Sequence, residues 1–262
     1  MKKGISWIVL AVIAVVFTTV VFLAWEQSKE SKKAESESYA SLTTDANNTQ
    51  SFYVKGLKEK GQKNWSAALT YFQKAREENP DNADAWFEVG YCYGELGRYQ
   101  DEIESYKQAI KIKPDFAEAH YNLGIAYGKL GQMQDAIEAS KQAIRIKPDY
   151  AEAHYNLGTT YGKLRRYQEA IEAFKQAIRI KPDKAGAHYN LGDAYQSLGR
   201  HQEAIEAYKQ AIKSSPDYTW AHYGLGRAYL ATGDKGSALE EYKILKTLDA
   251  EQAKKLFNLI YK

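Results

Sequence analysis

Residues 151–183 read AEAHYNLGTTYGKLRRYQEAIEAFKQAIRIKPD, and the stretch nearly reproduces itself when moved 34 residues in either direction. Pro80, Pro114, Pro148, Pro182 and Pro216 are the five prolines of the chain, and each stands 34 residues after the last. A period of this length marks a repeat array, whose units cannot bury their apolar faces alone and are stabilised by stacking. Inside the unit the apolar positions fall three and four apart, as one face of a helix does. His154, Leu157, Gly158 and Tyr161 belong to a first helix, and Ala170, Phe174 and Ala177 to a second. Proline closes the second helix, because it lacks a backbone donor and restricts the residue before it.

Working outward, the same columns recur. Gly56, Gly90, Gly124, Gly158, Gly192 and Gly226 hold one place in six successive units. A glycine inside a helix costs about 1 kcal/mol relative to alanine. Its recurrence predicts a close approach by the neighbouring helix. Ala136, Ala170, Ala204 and Ala238 are small on the second helix, and Tyr93, Tyr127, Tyr161, Tyr195 and Tyr229 are expected to fill the space between helices. Asp115 with Glu118, and Asp149 with Glu152, have the spacing of a capping box for the following first helix.

These columns resemble the tetratricopeptide repeat family, through the aromatic, Leu-Gly, Tyr, Ala-aromatic-Ala and Pro signature. The resemblance implies an all-α, right-handed superhelical solenoid of six helix pairs over residues 49–250. The units are 49–82, 83–116, 117–150, 151–184, 185–218 and 219–250, followed by a capping helix at 251–262 with the stripe Ala253, Leu256, Phe257 and Ile260. It also implies a concave groove, lined by the first helices, that holds a peptide or protein segment.

Before the array, residues 5–25 carry no charge. As a helix they span about 30 Å, the thickness of a hydrocarbon core. Trp7 and Trp25 stand at the two ends, where indole rings favour the interface. The run exceeds the apolar core of a signal peptide and lacks a small-residue cleavage site, so one transmembrane anchor is expected over 1–25. Lys2 and Lys3 favour a cytoplasmic amino terminus, while Lys29, Lys32 and Lys33 oppose it. The shorter tail is the easier to retain. The repeat domain is therefore expected outside the cytoplasm, periplasmic or equivalent, with the cytoplasmic face as the alternative. Residues 26–48, rich in Ser, Glu, Lys, Asn and Thr, read as a flexible tether.

Composition narrows the chemistry. A net charge of +3, with lysine and glutamate interleaved along helices, does not form a nucleic-acid footprint. Cys92, the single cysteine, excludes an intrachain disulfide and a cysteine-rich zinc site. His120, His154, His188 and His222 form a column shared by Phe52 and Trp86, so the slot reads as one for a flat ring rather than a metal ligand. No phosphate loop, nucleophile elbow or metal cluster is present, so neither catalysis nor a cofactor is expected.

Recognition is left to two columns. Asn122, Asn156 and Asn190 offer amides that match the backbone of an extended peptide. The repeat domain of O-GlcNAc transferases looks similar here. Tyr121, Tyr155, Tyr189 and Tyr223 lie beside them and either stack on a ligand or pack at the groove edge. The expected function is a membrane-anchored adaptor or assembly scaffold that binds protein or peptide. The alternatives are a recruiting subunit of an enzyme such as a glycosyltransferase, and a self-associating scaffold. Three departures stand out: Glu102 in the small-residue column, Ser140 in place of an aromatic, and Arg165 in place of a turn glycine.

Overall fold

The computed structural model describes residues 51–262 together with Lys29. The expected anchor and most of the linker lie outside the described residues. Among those residues no helix is long and apolar enough to cross a membrane. Thirteen helices and no strand occur among them: α1 Phe52–Gly61, α2 Trp65–Glu78, α3 Ala83–Glu95, α4 Tyr99–Ile112, α5 Ala117–Lys129, α6 Met133–Ile146, α7 Ala151–Lys163, α8 Tyr167–Ile180, α9 Ala185–Ser197, α10 His201–Ser214, α11 Thr219–Ala231, α12 Lys235–Leu248 and α13 Ala250–Ile260.

Each helix packs on the next, giving six pairs capped by α13. The first helices of neighbouring units also touch: α3 with α5, α5 with α7, α7 with α9, and α9 with α11. The second helices make no comparable contact among the described residues. A stack whose first helices lie closer than its second helices curves towards the first, which places α3, α5, α7, α9 and α11 on the concave side. The cap α13 packs on both α12 and α11, burying Ala253, Leu256 and Ile260.

The glycine column is explained by rings. A Cβ on Gly56, Gly90, Gly158 or Gly192 would fall 2.6–2.8 Å from Phe72, Tyr106, Phe174 or Tyr208, the aromatic of the paired second helix. At Gly226 the intruder is Leu256 of the cap, at 2.5 Å. These rings are nearly inaccessible, and burying one contributes roughly 1.5–3 kcal/mol. In the third unit Ser140 leaves the ring's place vacant, and the Asn156 amide fills it, donating to Ser140 Oγ at 3.0 Å. Ser140 in turn donates to the Ala136 carbonyl at 2.8 Å.

The capping boxes do not form. The N-cap residues of α5 and α7 are Phe116 and Tyr150, one place after the aspartates, and neither supplies a side-chain cap. Backbone bonds close these ends instead, from Ala119 and His120 to Phe116 O. Glu118 and Glu152 are drawn to the lysine that ends the second helix of their own unit, Lys147 at 3.9 Å and Lys181. Side-chain caps occur at Asn82, Asp234 and Asp249, where a short acceptor stands at the N-cap itself.

Four turn glycines, Gly97, Gly131, Gly199 and Gly233, have φ between 72° and 82°. Arg165 adopts the same left-handed backbone at φ 58°, as the sequence departure implied, and so does Lys63 at φ 60°. A Cβ is disfavoured there by about 1–2 kcal/mol.

Candidate functional site

The histidine column is structural, through a bond rather than ring shape alone. Nε2 of His120, His154, His188 and His222 lies 2.8–3.1 Å from the carbonyl of the proline six residues earlier. A carbonyl only accepts, so Nε2 carries the proton. The Trp86 indole N–H makes the same bond to Pro80 O at 2.9 Å. Each ring thus satisfies a carbonyl freed by the proline break and fixes the turn between units. Among the described residues no cluster of three or more His, Cys, Asp or Glu could hold a metal ion.

His222 differs from the others. It is buried, and Nδ1 lies 2.6 Å from Glu241 Oε2. Both nitrogens face oxygen atoms, an arrangement that favours the doubly protonated ring. Burial works against this charge, but the Glu241 bond, the Pro216 carbonyl and the Glu241 charge outweigh it and raise the pKa above 6.5. At His120, burial is the main cause of a lowered pKa.

The asparagine ladder faces between units, and its members have intramolecular partners. Asn122 stands beside the Tyr106 hydroxyl. Asn156 donates to Ser140, and Asn190 donates to the Tyr155 hydroxyl at 2.9 Å. The three residues are half-buried. In the second unit the same place holds Glu88, buried and gripped by Lys60 Nζ at 2.6 and 2.9 Å. The tyrosine column packs at the groove edge. Tyr121 lies on Tyr150, Tyr155 on Phe174, and Tyr189 on both Tyr208 and Tyr218, with ring centroids 5.0–5.9 Å apart. Tyr223 packs on the cluster formed by α12 and α13.

One hollow opens between first helices. It has a volume of about 300 Å³ and lies between α7 and α9, lined by Thr159, Gly162 and Lys163 on one side and Asn190, Asp193 and Ser197 on the other. Tyr167 and Phe174 of α8 contribute to its wall. Its polar anchor is Asp193, whose Oδ1 accepts from the Tyr208 hydroxyl at 2.6 Å. The Tyr189 hydroxyl lies within the field of the same carboxylate. Burial first, and the Asp193 charge second, hold both tyrosines protonated far above the ordinary phenol range. Of the ladder residues, Asn190 alone lines this hollow, and Asp193 was not singled out from the sequence. Its only signal was a carboxylate in a column otherwise held by Leu57, Tyr91, Ile125, Thr159 and Arg227.

The analogous place two units earlier is occupied. Glu102 is buried at 4% exposure, and a Cβ on Gly94 would meet its carboxylate at 2.6 Å. Its Oε2 has no hydrogen-bond partner, and Lys129 Nζ stops 3.8 Å away. Burial is the main cause of a pKa pushed up to about 7, which Lys129 only partly opposes. Cys92 is buried beside Glu88, and burial pushes its thiol up to about 12, so it is a core residue without thiolate character.

A family model described as the cilia and flagella-associated protein 70 C-terminal domain matches residues 17–255. Among solved structures, MamA is 32% identical, with a TM-score of 0.59, over 62% of this chain and 94% of that one. YrrB, described as a TPR protein with an unusual peptide-binding site, is 21% identical, with a TM-score of 0.62, over 71% and 97% of the two chains. PilF of Pseudomonas aeruginosa is 17% identical, with a TM-score of 0.69, over 79% and 95%. The last two likenesses show the fold alone.

Proposed function

The chain belongs to the family described as the cilia and flagella-associated protein 70 C-terminal domain, a tetratricopeptide solenoid, and on that premise we propose that it is a non-catalytic scaffold whose concave groove holds an extended segment of a partner protein. The observation that carries this is the hollow between α7 and α9, which opens between the first helices and combines ring walls with Asn190 and Asp193. Most positions that recur from unit to unit are committed to packing. The one on which recognition would rest is therefore a departure from the repeat, Asp193, rather than the repeat itself. YrrB supports the reading in that the same fold carries a peptide-binding site there.

Residues 5–25 would hold this groove at a membrane surface, with 26–48 as the tether and the array on the extracytoplasmic side. The support is the uncharged run and its flanking tryptophans. Asn156 and Asn190 would act through the carbonyl and the second N–H of each amide, since one N–H already donates within the chain.

A pull-down of the crosslinked full chain tests the groove. Ser197→Trp, which fills the hollow, should remove the captured partner. Glu172→Trp, on an exposed site of α8, should leave it. Equal capture by both variants would refute the groove reading. A reporter fused after Lys262 tests the topology, and a cytoplasmic signal would overturn the extracytoplasmic placement.

A further inference from the structure

We propose that the hollow between α7 and α9 is a receptor for one basic side chain, an arginine or a lysine, of the segment held in the groove. This rests on the groove reading and adds the chemistry of its guest. At about 300 Å³ the hollow lies at the lower limit of small-molecule sites and suits a single large side chain.

The wall has the composition a cation requires. A carboxylate has about four acceptor positions, and the hydroxyl of Tyr208 occupies one of them at Asp193. This donor fixes the carboxylate in place and leaves acceptor capacity for a guest. Asn190 directs one amide N–H to the Tyr155 hydroxyl, which orients the amide and leaves its carbonyl oxygen as a second acceptor beside its remaining N–H. Phe174 and Tyr167 supply aromatic carbon for the aliphatic stem and for the cation itself. The hydroxyls of Thr159 and Ser197 donate to the backbone carbonyls of Tyr155 and Asp193, so they do not present donors to an anion.

Lys163 is the opposing feature. It stands on the rim, exposed and without an ion-pair partner among the described residues. Its charge disfavours a basic guest and would favour an acidic one, so the two guest chemistries respond to Lys163 and Asp193 with opposite signs. The two preceding units differ at the corresponding place. Two units earlier Glu102 fills the space, and one unit earlier Ser140 replaces the ring wall and Asn156 turns inward.

The test is selection of a random-peptide phage library on the full chain in lipid nanodiscs, followed by affinity measurements on the enriched peptides. The expected result is enrichment with one position dominated by Arg or Lys. Replacing that residue by norleucine should weaken binding on the order of tenfold. Asp193→Asn should abolish the difference between the two peptides, whereas Lys163→Gln should widen it. Enriched peptides with no basic position, or with an acidic one whose binding weakens in Lys163→Gln, overturn the inference and leave the groove reading standing. No enrichment at all, or enriched peptides whose binding is unaffected by Ser197→Trp, overturns the groove reading itself.

Discussion

Replacing Glu102 by alanine should flatten the loss of stability towards alkaline pH, and the size of the effect follows from the carboxylate's surroundings. Glu102 stands where Ala68, Ala136, Ala170, Ala204 and Ala238 stand in the other units. Its carboxyl group is buried, one oxygen lacks a hydrogen-bond partner, and Lys129 is too distant to donate. The folded-state pKa lies at about 7 against an ordinary 4.5. The folded protein therefore holds this proton more tightly than the unfolded chain. The resulting stability is fully present below pH 4.5 and is lost as pH rises through 7. The loss is about 1.4 kcal/mol per pH unit over that interval, or about 3 kcal/mol in all. Urea unfolding followed by circular dichroism, at about pH 5 and about pH 9, measures it in the parent and in Glu102→Ala. Comparing the two pH values removes the pH-independent cost of the lost side-chain volume. The parent should lose about 3 kcal/mol more than the variant between them. An identical pH dependence in the two proteins would refute the reasoning, because it would mean that Glu102 reaches water or a cation when folded.

Three further outcomes follow. Arg165→Gly should raise stability by about 1 kcal/mol, since glycine adopts the left-handed backbone without steric cost, and thermal melts would show it. Gly158→Ala should destabilise by about 2 kcal/mol, because the new Cβ falls 2.7 Å from the buried Phe174 ring; urea midpoints measure this. In a proton-detected NMR titration of the imidazoles, His222 should titrate above 6.5 and His120 below it. The raised pKa of His222 means that its contribution to stability is complete below 6.5 and fades as pH rises through the folded value. Glu241→Gln should remove that dependence.

The fold was legible because steric demands repeat with the unit. Gly158 and Phe174, Ala170 and Pro182 report packing that any residue pattern at this spacing must satisfy. The departures were legible for the same reason, and each marks a local change: Asn156 fills the place left by the ring at Ser140, Glu102 is buried, and Arg165 adopts a left-handed backbone. Hydrogen-bond destinations were not legible. The histidine column read as a ring slot because Phe52 shares it, while the ring N–H that Trp86 and the histidines share is what reaches the proline carbonyl. The aspartates read as caps, but the helix begins one residue later, a shift that spacing alone does not reveal. The asparagines read as free amides because the Tyr155 and Ser140 hydroxyls that accept from them lie 35 and 16 residues away. Asp193 passed unnoticed because the Tyr208 hydroxyl that donates to it lies 15 residues away.

The claim that the first helices form the binding face is most directly tested by site-specific photocrosslinking in the full chain. Benzoylphenylalanine would be placed at Lys163 or Ser197, which line the hollow, and at Glu172 or Glu206, exposed on the second helices α8 and α10. The structure predicts covalent capture of a partner from positions 163 and 197 and none from 172 and 206. Capture from 172 and 206 alone would place recognition on the second helices and contradict the account.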